Sequence, residues 1–272
     1  MTQVLLWDPV TVLKVDGEWS RVLVSEQYRT EKGYPGWIKT SALQLKAEPM
    51  PGAPRVAAAF PVVALRESPS TEAPALLKVF MSTRLPVRVS AGQSAQQALR
   101  QDSGGESWYP VRLPDGRDAW VRAGQVQLEI EPGLSRGGEL VEDATKLRST
   151  PYLWGGMSQV GIDCSGLTFV AYRMAGVTLP RDADQQFQVG EAVTPEELLP
   201  GDLVFFGQPG EITHVGMYAG DGKMVHASSG AGVITSTLFE GWYQQYYRGA
   251  RRILRESGGG ARVLTPADGG RP

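Results

Sequence analysis

Two stretches of this chain repeat one theme, and that repeat limits what the first half can fold into. Residues 8 to 43 read DPVTVLKVDGEWSRVLVSEQYRTEKGYPGWIKTSAL, and residues 83 to 126 read TRLPVRVSAGQSAQQALRQDSGGESWYPVRLPDGRDAWVRAGQV. Each runs through an alternating strand, a turn, a Trp-bearing strand, a Gly-containing turn and a last strand marked W-[IV]-[KR]. Apolar residues at every second position, broken at short intervals by Gly and Asp, predict small all-β barrels. A repeat of this length means that the two copies are one type of unit. Each copy carries a pair of tryptophans, Trp19 with Trp37 in the first and Trp108 with Trp120 in the second. All four tryptophans are expected in the barrel cores, where a large ring buries the most apolar surface.

The second copy opens with FPVVALRESPSTEAPALLKVF, residues 60 to 80, which supplies a first strand and its loop. The first copy has no counterpart, so an edge is expected to stand open and residues upstream of Met1 are expected to be missing. KAEPMPGAPRVAA between the copies is rich in Pro and Ala and reads as a linker. From about Leu134 the character changes. In LSRGGELVEDATKLRST, Leu140, Ala144 and Leu147 share a helical face, and strand-like GDLVFFG, HVGMYAG and MVHASS follow later. Helices followed by a run of strands give an α+β domain. ESGGGARVLTPADGGRP at the end reads as a disordered tail. The expected boundaries are 1–46 and 59–130 for the two barrels, 47–58 for the linker, 131–255 for the α+β domain and 256–272 for the tail.

A formal net charge of −2 without a long basic run argues against nucleic acid as a partner, because neutralising phosphates takes clustered Lys and Arg. No stretch approaches the ~20 apolar residues of a membrane span. MTQVLLWDPV lacks the basic and apolar regions of a signal peptide. The chain as written therefore points to the cytoplasm, and to the cell envelope or exterior if its beginning is truncated. One cysteine, Cys164, cannot form an internal disulfide.

Cys164 lies in GIDCSG. The following CSGLTFVAYRMAG places Leu167, Val170, Ala171 and Met174 on one helical face, with Asp163 as N-cap and Gly176 and Pro180 as terminators. Cys164 thus falls in the first turn. There the unpaired N–H groups and the helix dipole are expected to favour a thiolate and to hold an oxyanion. Gly161 and Gly166 leave room for a substrate.

A nucleophile needs a base, and the chain has two histidines, His214 and His226. VGMYAGDGKMV between them reads as a β-hairpin turning at Asp-Gly. A two-residue loop at Asp221-Gly222 sets His226 opposite Met217, so the histidines lie on opposite faces. A three-residue loop over Gly220–Gly222, or a bulge, sets them diagonally on one face. The enzyme reading requires the second arrangement, which is the expectation. Cys164 then attacks a carbonyl, His214 takes the thiol proton and returns it to the leaving amine, and His226 fixes the tautomer of His214. The same three residues could instead hold zinc with a water. No CxxC or HExxH supports that, and no metal or other cofactor is expected.

PYLWGGMSQVGIDCSGLTFVAY, LPRDADQQF, LLPGDLVFFG and THVGMYAGDGKMVHASS, in this order, resemble the NlpC-type papain-like cysteine peptidases, which cut bacterial cell-wall peptides. The resemblance covers residues 134 to 255. It implies a papain-like α+β domain with Cys164, His214 and His226 as its triad. It implies that Tyr152 lines the site, and that Asp163, Ser165, Arg181 and Asp182 contribute to substrate binding. The family's stretch often continues with Ser or Thr where this chain has Ala183 and Asp184, which removes a hydroxyl contact there. The two repeats ahead of it resemble bacterial SH3-like domains. Members with that combination hydrolyse the bond between γ-D-glutamate and an L-diamino acid in peptides with a free N-terminal L-Ala. Their first barrel presents a Tyr ahead of Gly-Trp, which is Tyr34 here, and Asp163 becomes the carboxylate for the alanine ammonium. Their acidic residue from early in the first barrel has no counterpart; Glu67 lies in the wrong copy.

The expected protein is therefore a γ-D-glutamyl-L-diamino acid endopeptidase of murein peptide recycling, its partner a peptide such as L-Ala-γ-D-Glu-diamino acid. Two alternatives stand beside it. One is a hydrolase of intact peptidoglycan that uses the SH3-like barrels as wall anchors. The other is a wall-binding protein with an idle peptidase domain.

Overall fold

The computed structural model describes residues 1–30, 32–44, 52–129, 137–255 and 262–263. The chain forms two compact units. One comprises Val4–Ser25 and Pro35–Glu129, the other Met1–Gln3, Glu26–Tyr34 and Ile130–Pro272.

The first unit is built from short antiparallel strands. Ala75–Phe80, Val62–Arg66, Asp118–Arg122, Ser107–Arg112 and Arg100–Gln101 form one sheet in that order, and Val126–Leu128, Arg55–Ala58 and Arg84–Pro86 another. The inward residues of both sheets, among them Val56, Val63, Leu65, Leu85, Val111 and Val121, make one core. A separate three-stranded sheet holds Val10–Asp16, Trp19–Val24 and Tyr34–Lys39.

Three expectations change here. The linker assigned to 47–58 ends too late, because Arg55–Ala58 is the middle strand of its sheet. Val56 and Ala58 point into the core with no exposure, which a Pro- and Ala-rich composition conceals. The segment 1–46 is not one body, since Met1–Gln3 and Glu26–Tyr34 belong with the C-terminal unit. Trp19 and Trp37 are 45% and 53% exposed, because Ser20, Val22 and Val24 take the inner face of the strand beside Trp19. Trp108 is buried as expected and its indole N–H donates to Asp102 at 3.1 Å. The tail from 256 onward lies outside the described residues except Arg262–Val263, a short strand that pairs with Leu254–Arg255.

In the second unit, Gly137–Lys146 is a helix whose Leu140 and Ala144 are buried, followed by buried Leu147. Cys164–Met174 is the central helix. Its apolar stripe predicted one buried face, yet all eleven residues are buried. A six-stranded antiparallel sheet runs in the order Glu191–Val193, Tyr247–Arg252, Leu203–Gln208, Glu211–Gly220, Lys223–Ser228, Gly232–Thr237. The central helix contacts the strands that carry the two histidines. Among the described residues no helix is long and apolar enough to cross a membrane.

Candidate active site

Cys164 opens the central helix. Asp163 caps it, its carboxylate accepting from the Gly166 N–H at 2.6 Å. The same carboxylate accepts from the Gly155 N–H at 2.7 Å and takes a two-pronged contact from Arg181, Nη1 to Oδ1 and Nη2 to Oδ2, each 3.0 Å. Arg181 has no exposed surface. Its remaining donors go to Thr2, to Ser165 and to the Gly156 carbonyl. A guanidinium has five N–H donors and a carboxylate about four acceptor sites. Both sets are engaged inside the protein. The pair fixes the turn that presents Cys164, with Arg181 wholly buried and a small part of the Asp163 carboxylate still exposed.

The other expected binding residues are distributed around this turn. Ser165 is buried against Arg181, its hydroxyl 3.0 Å from Nη1. Tyr152 bridges to Ile162, and burial first, then the negative fields of Cys164 and Asp163, push its phenol up to about 12. Tyr34 is buried and lies within reach of Asp182, Arg181 and Arg29; burial is the chief cause that raises its pKa. Its hydroxyl accepts from the Met1 ammonium at 3.1 Å. Asp182 pairs with Arg29. Sequence reasoning missed Arg29, whose role depends on a fold that returns residues 26–34 to this unit.

The hairpin carrying the histidines resolves the parity question. Asp221 and Gly222 form a two-residue turn, both at positive φ (51° and 67°), with Gly220 opposite Lys223. Beyond it the register slips by one at Ala219, so Tyr218 faces Met224 and Met217 faces Val225. Asp-Gly supplies the left-handed backbone of a type I′ turn, and the bulge adds the residue that moves His226 to the face of His214. The two-residue loop and the bulge occur together. His214 Nε2 lies 3.0 Å from His226 Nδ1. A Cβ on Gly216 would come within 3.3 Å of His226 Cβ and 2.9 Å of Met224 Sδ, so the bare glycine keeps this face open.

The backbone N–H groups of Val215, next to His214, and of Ser165 point to the Cys164 sulfur. They do not make a resting thiolate. Burial, reinforced by the negative Asp163, pushes the thiol up to about 11. The expected thiolate at the helix N-terminus is corrected on this point: desolvation of a lone charge outweighs the dipole. Burial, and then His226, brings His214 down to about 3, and burial brings His226 down to about 4. Both imidazoles are neutral at pH 7. With Nε2 of His214 engaged by His226, Nδ1 is the nitrogen left to receive a proton. Among the described residues no three His, Cys, Asp or Glu side chains are grouped to hold a metal ion.

Around the pair stands an aromatic cluster. Phe206 lies 5.8 Å from the His214 ring, Tyr243 5.2 Å from the His226 ring, and Trp242 stacks on Tyr246 at 4.8 Å. WYQQYYRG, which supplies most of it, carries no period that marks it as part of a site.

Residues 149–252 match the NlpC/P60 family. The γ-D-glutamyl-L-lysine dipeptidyl-peptidase of Bacillus cereus (strain ATCC 10987 / NRS 248) is 35% identical over 264 residues, covering 93% of this chain and 75% of the relative. The chain belongs to the NlpC/P60 family. A protein of the same name from Bacillus subtilis (strain 168) is 30% identical over 261 residues, 94% of this chain and 81% of the relative. The crystal structure of an NlpC/P60 family protein from Bacillus cereus ATCC 10987 superposes with a TM-score of 0.79 at 34% identity, over 92% of this chain and 81% of the other. The C-terminal unit has the papain-like α/β fold of this family of cysteine peptidases, and small β-sheets precede it in sequence.

Proposed function

We propose that this NlpC/P60 protein is a cysteine peptidase that hydrolyses the γ-D-glutamyl–L-diamino acid bond of murein peptides with a free N-terminal L-Ala, in cell-wall peptide recycling. The observation that carries the reading is the His214–His226 contact of 3.0 Å beside a helix that begins at Cys164. Likeness over nine-tenths of the chain to two proteins named γ-D-glutamyl-L-lysine dipeptidyl-peptidase supplies the bond.

The chemistry starts from neutral partners. His214 Nδ1 takes the thiol proton as Cys164 Sγ bonds to the γ-carbonyl carbon of D-Glu. Transfer within the pair creates opposite charges side by side, which lowers the burial penalty that each bears alone. The positive end of the helix at Cys164 answers the oxyanion. The carbonyl re-forms, the C–N bond breaks, and His214 returns the proton to the leaving amine. A water, deprotonated by His214, then hydrolyses the thioester and restores the thiol.

Tyr34 and Asp163 take the substrate ammonium, with Asp182 and its partner Arg29 beside Tyr34. Tyr152 and Ser165 flank the acyl part. The β segments ahead of residue 130 serve as SH3-like barrels.

L-Ala-γ-D-Glu-L-Lys and its N-acetylated form, each incubated with the protein and followed by mass spectrometry, test the reading. Cleavage after D-Glu in the free-amine peptide alone is expected, and it is lost in Cys164→Ala. Equal cleavage of both peptides returns intact wall as the substrate. No cleavage of either ends the peptidase reading.

A further inference from the structure

Two hydroxyls converge on the outer nitrogen of His226. Ser236 Oγ lies 3.0 Å and Tyr243 Oη 3.2 Å from Nε2. Ser236 stands on the neighbouring strand, two pairs beyond Ile234, the residue opposite His226, and so on the same face as Ile234. Tyr243 comes from the helix Gly241–Tyr246, and its ring is held edge-on to Phe206 at 5.4 Å and to Trp242 at 5.5 Å. We propose that Ser236 and Tyr243 act together as positioning residues that keep the proton of His226 on Nε2 and so set the direction of the whole relay. The proposal rests on the peptidase reading only for its catalytic consequence.

The argument is a count of donors and acceptors. His226 has no exposed surface, so its ring nitrogens depend on protein partners. With a bare Nε2, two hydroxyl donors would compete for one lone pair. With a protonated Nε2, one N–H is shared between two oxygens, and both hydroxyl hydrogens are free to turn elsewhere. The second arrangement engages both oxygens with the ring at once, and the partly buried hydroxyls can turn their hydrogens to solvent. Nδ1 of His226 is then an acceptor, His214 must donate from Nε2, and His214 Nδ1 carries the lone pair that receives the thiol proton. The reverse arrangement places a hydrogen on His214 Nδ1, where it cannot act as a base. Either hydroxyl alone can accept, so the two are redundant.

The chain's two histidines make the tautomers directly readable by two-bond 15N–1H spectra of the imidazole rings at pH 7. The expected result is a proton on Nε2 of both rings. A proton on Nδ1 of His226 overturns the proposal. Variants then test its cause. Ser236→Ala and Tyr243→Phe alone are expected to stay within about three-fold of wild type in kcat, the scale of one weak hydrogen bond. The double variant is expected to shift His226 toward the Nδ1–H form and to lower kcat about ten-fold or more, with KM within about two-fold, as for an unsatisfied buried donor. Alkylation of Cys164 by iodoacetamide should slow in parallel, and as the chain's single thiol it gives a signal that needs no substrate. Ser236→Thr combined with Tyr243→Phe keeps one hydroxyl and is expected to restore all three readouts. A double variant with unchanged ring spectra and alkylation, or a loss confined to KM, sinks the proposal. If the wild type leaves the murein tripeptide uncut, the peptidase reading fails, and the ring spectra and alkylation rates still decide the role of the hydroxyls.

Discussion

His214 and His226 meet nitrogen to nitrogen at 3.0 Å, with their ring planes 84° apart. The contact orients one ring and takes its outer nitrogen out of play. It separates His226 from an ordinary buried side chain. His226→Ala is expected to lower kcat about 10²–10³-fold with little change in KM, because the loss falls on the base and not on binding. His226→Asn, which offers an amide oxygen to His214 Nε2, should recover part of that loss. Steady-state kinetics on L-Ala-γ-D-Glu-L-Lys would show it, and equal activity of His226→Ala and wild type would remove His226 from the mechanism.

Arg181 and Asp163 form a closed ion pair under the nucleophile. Removing one partner strands the other's charge in the interior. Arg181→Met is expected to cost about 3–5 kcal/mol of stability, measured by urea unfolding. Arg181→Lys should recover little, because an ammonium cannot reproduce the two-pronged contact or reach Gly156, Ser165 and Thr2 together. A substrate-binding arginine would instead show normal stability and a raised KM.

Stability should fall on acidification below pH 6.5. Burial holds His214 at about 3 and His226 at about 4, so the folded protein binds fewer protons than the unfolded chain between those values and 6.5. Stability from this source is complete above 6.5 and is lost as pH drops toward 4, by up to about 1.4 kcal/mol per histidine per pH unit. Cys164 acts at the other end. Its thiol ionises near 9.0 when free and about 11 when folded, so stability declines as pH rises through that interval. Urea midpoints from pH 4 to 7 should flatten in a His214→Asn/His226→Asn variant. An unchanged slope would show that other groups control acid unfolding.

Gly166→Ala should fail in the fold before it fails in chemistry. A methyl there would run into the Gly156 carbonyl oxygen and come within 2.9 Å of Asp163 Oδ1. Both belong to the frame around Arg181. A loss of about 1–3 kcal/mol or more is expected from overpacking in a region without slack. Thermal unfolding of Gly166→Ala beside Gly138→Ala, where a methyl meets open space, separates this clash from a general glycine effect.

Much of the centre was legible because its signals are local. Cys164 follows an N-cap and opens an apolar helix, and a chain with two histidines offers few pairs to consider. Other parts depend on contacts that sequence distance hides. Tyr243 reaches His226 from 17 residues away, and its helix has no apolar stripe to announce it. Arg55–Ala58 looked like a linker because small alanines fill positions in a narrow core as well as they fill a hinge. Trp19 and Trp37 invited a core assignment by type, while the strand's alternation placed smaller residues inside. Asp163 read as an N-cap and a ligand, and its pairing with Arg181, 18 residues on, carries no local signal.

The slip at Ala219 has a bearing on how such a protein can change over time. Most surface hairpins tolerate a residue gained or lost, since the turn absorbs it. Here one deletion would leave the turn, the core and every motif letter in place while sending His226 to the far side of its sheet. The hairpin's length is thus under the same constraint as the identity of its histidines. Relatives that have abandoned hydrolysis need not have lost Cys164 or either histidine; a change of one residue in this turn would be enough, and a search for missing catalytic letters would pass over them.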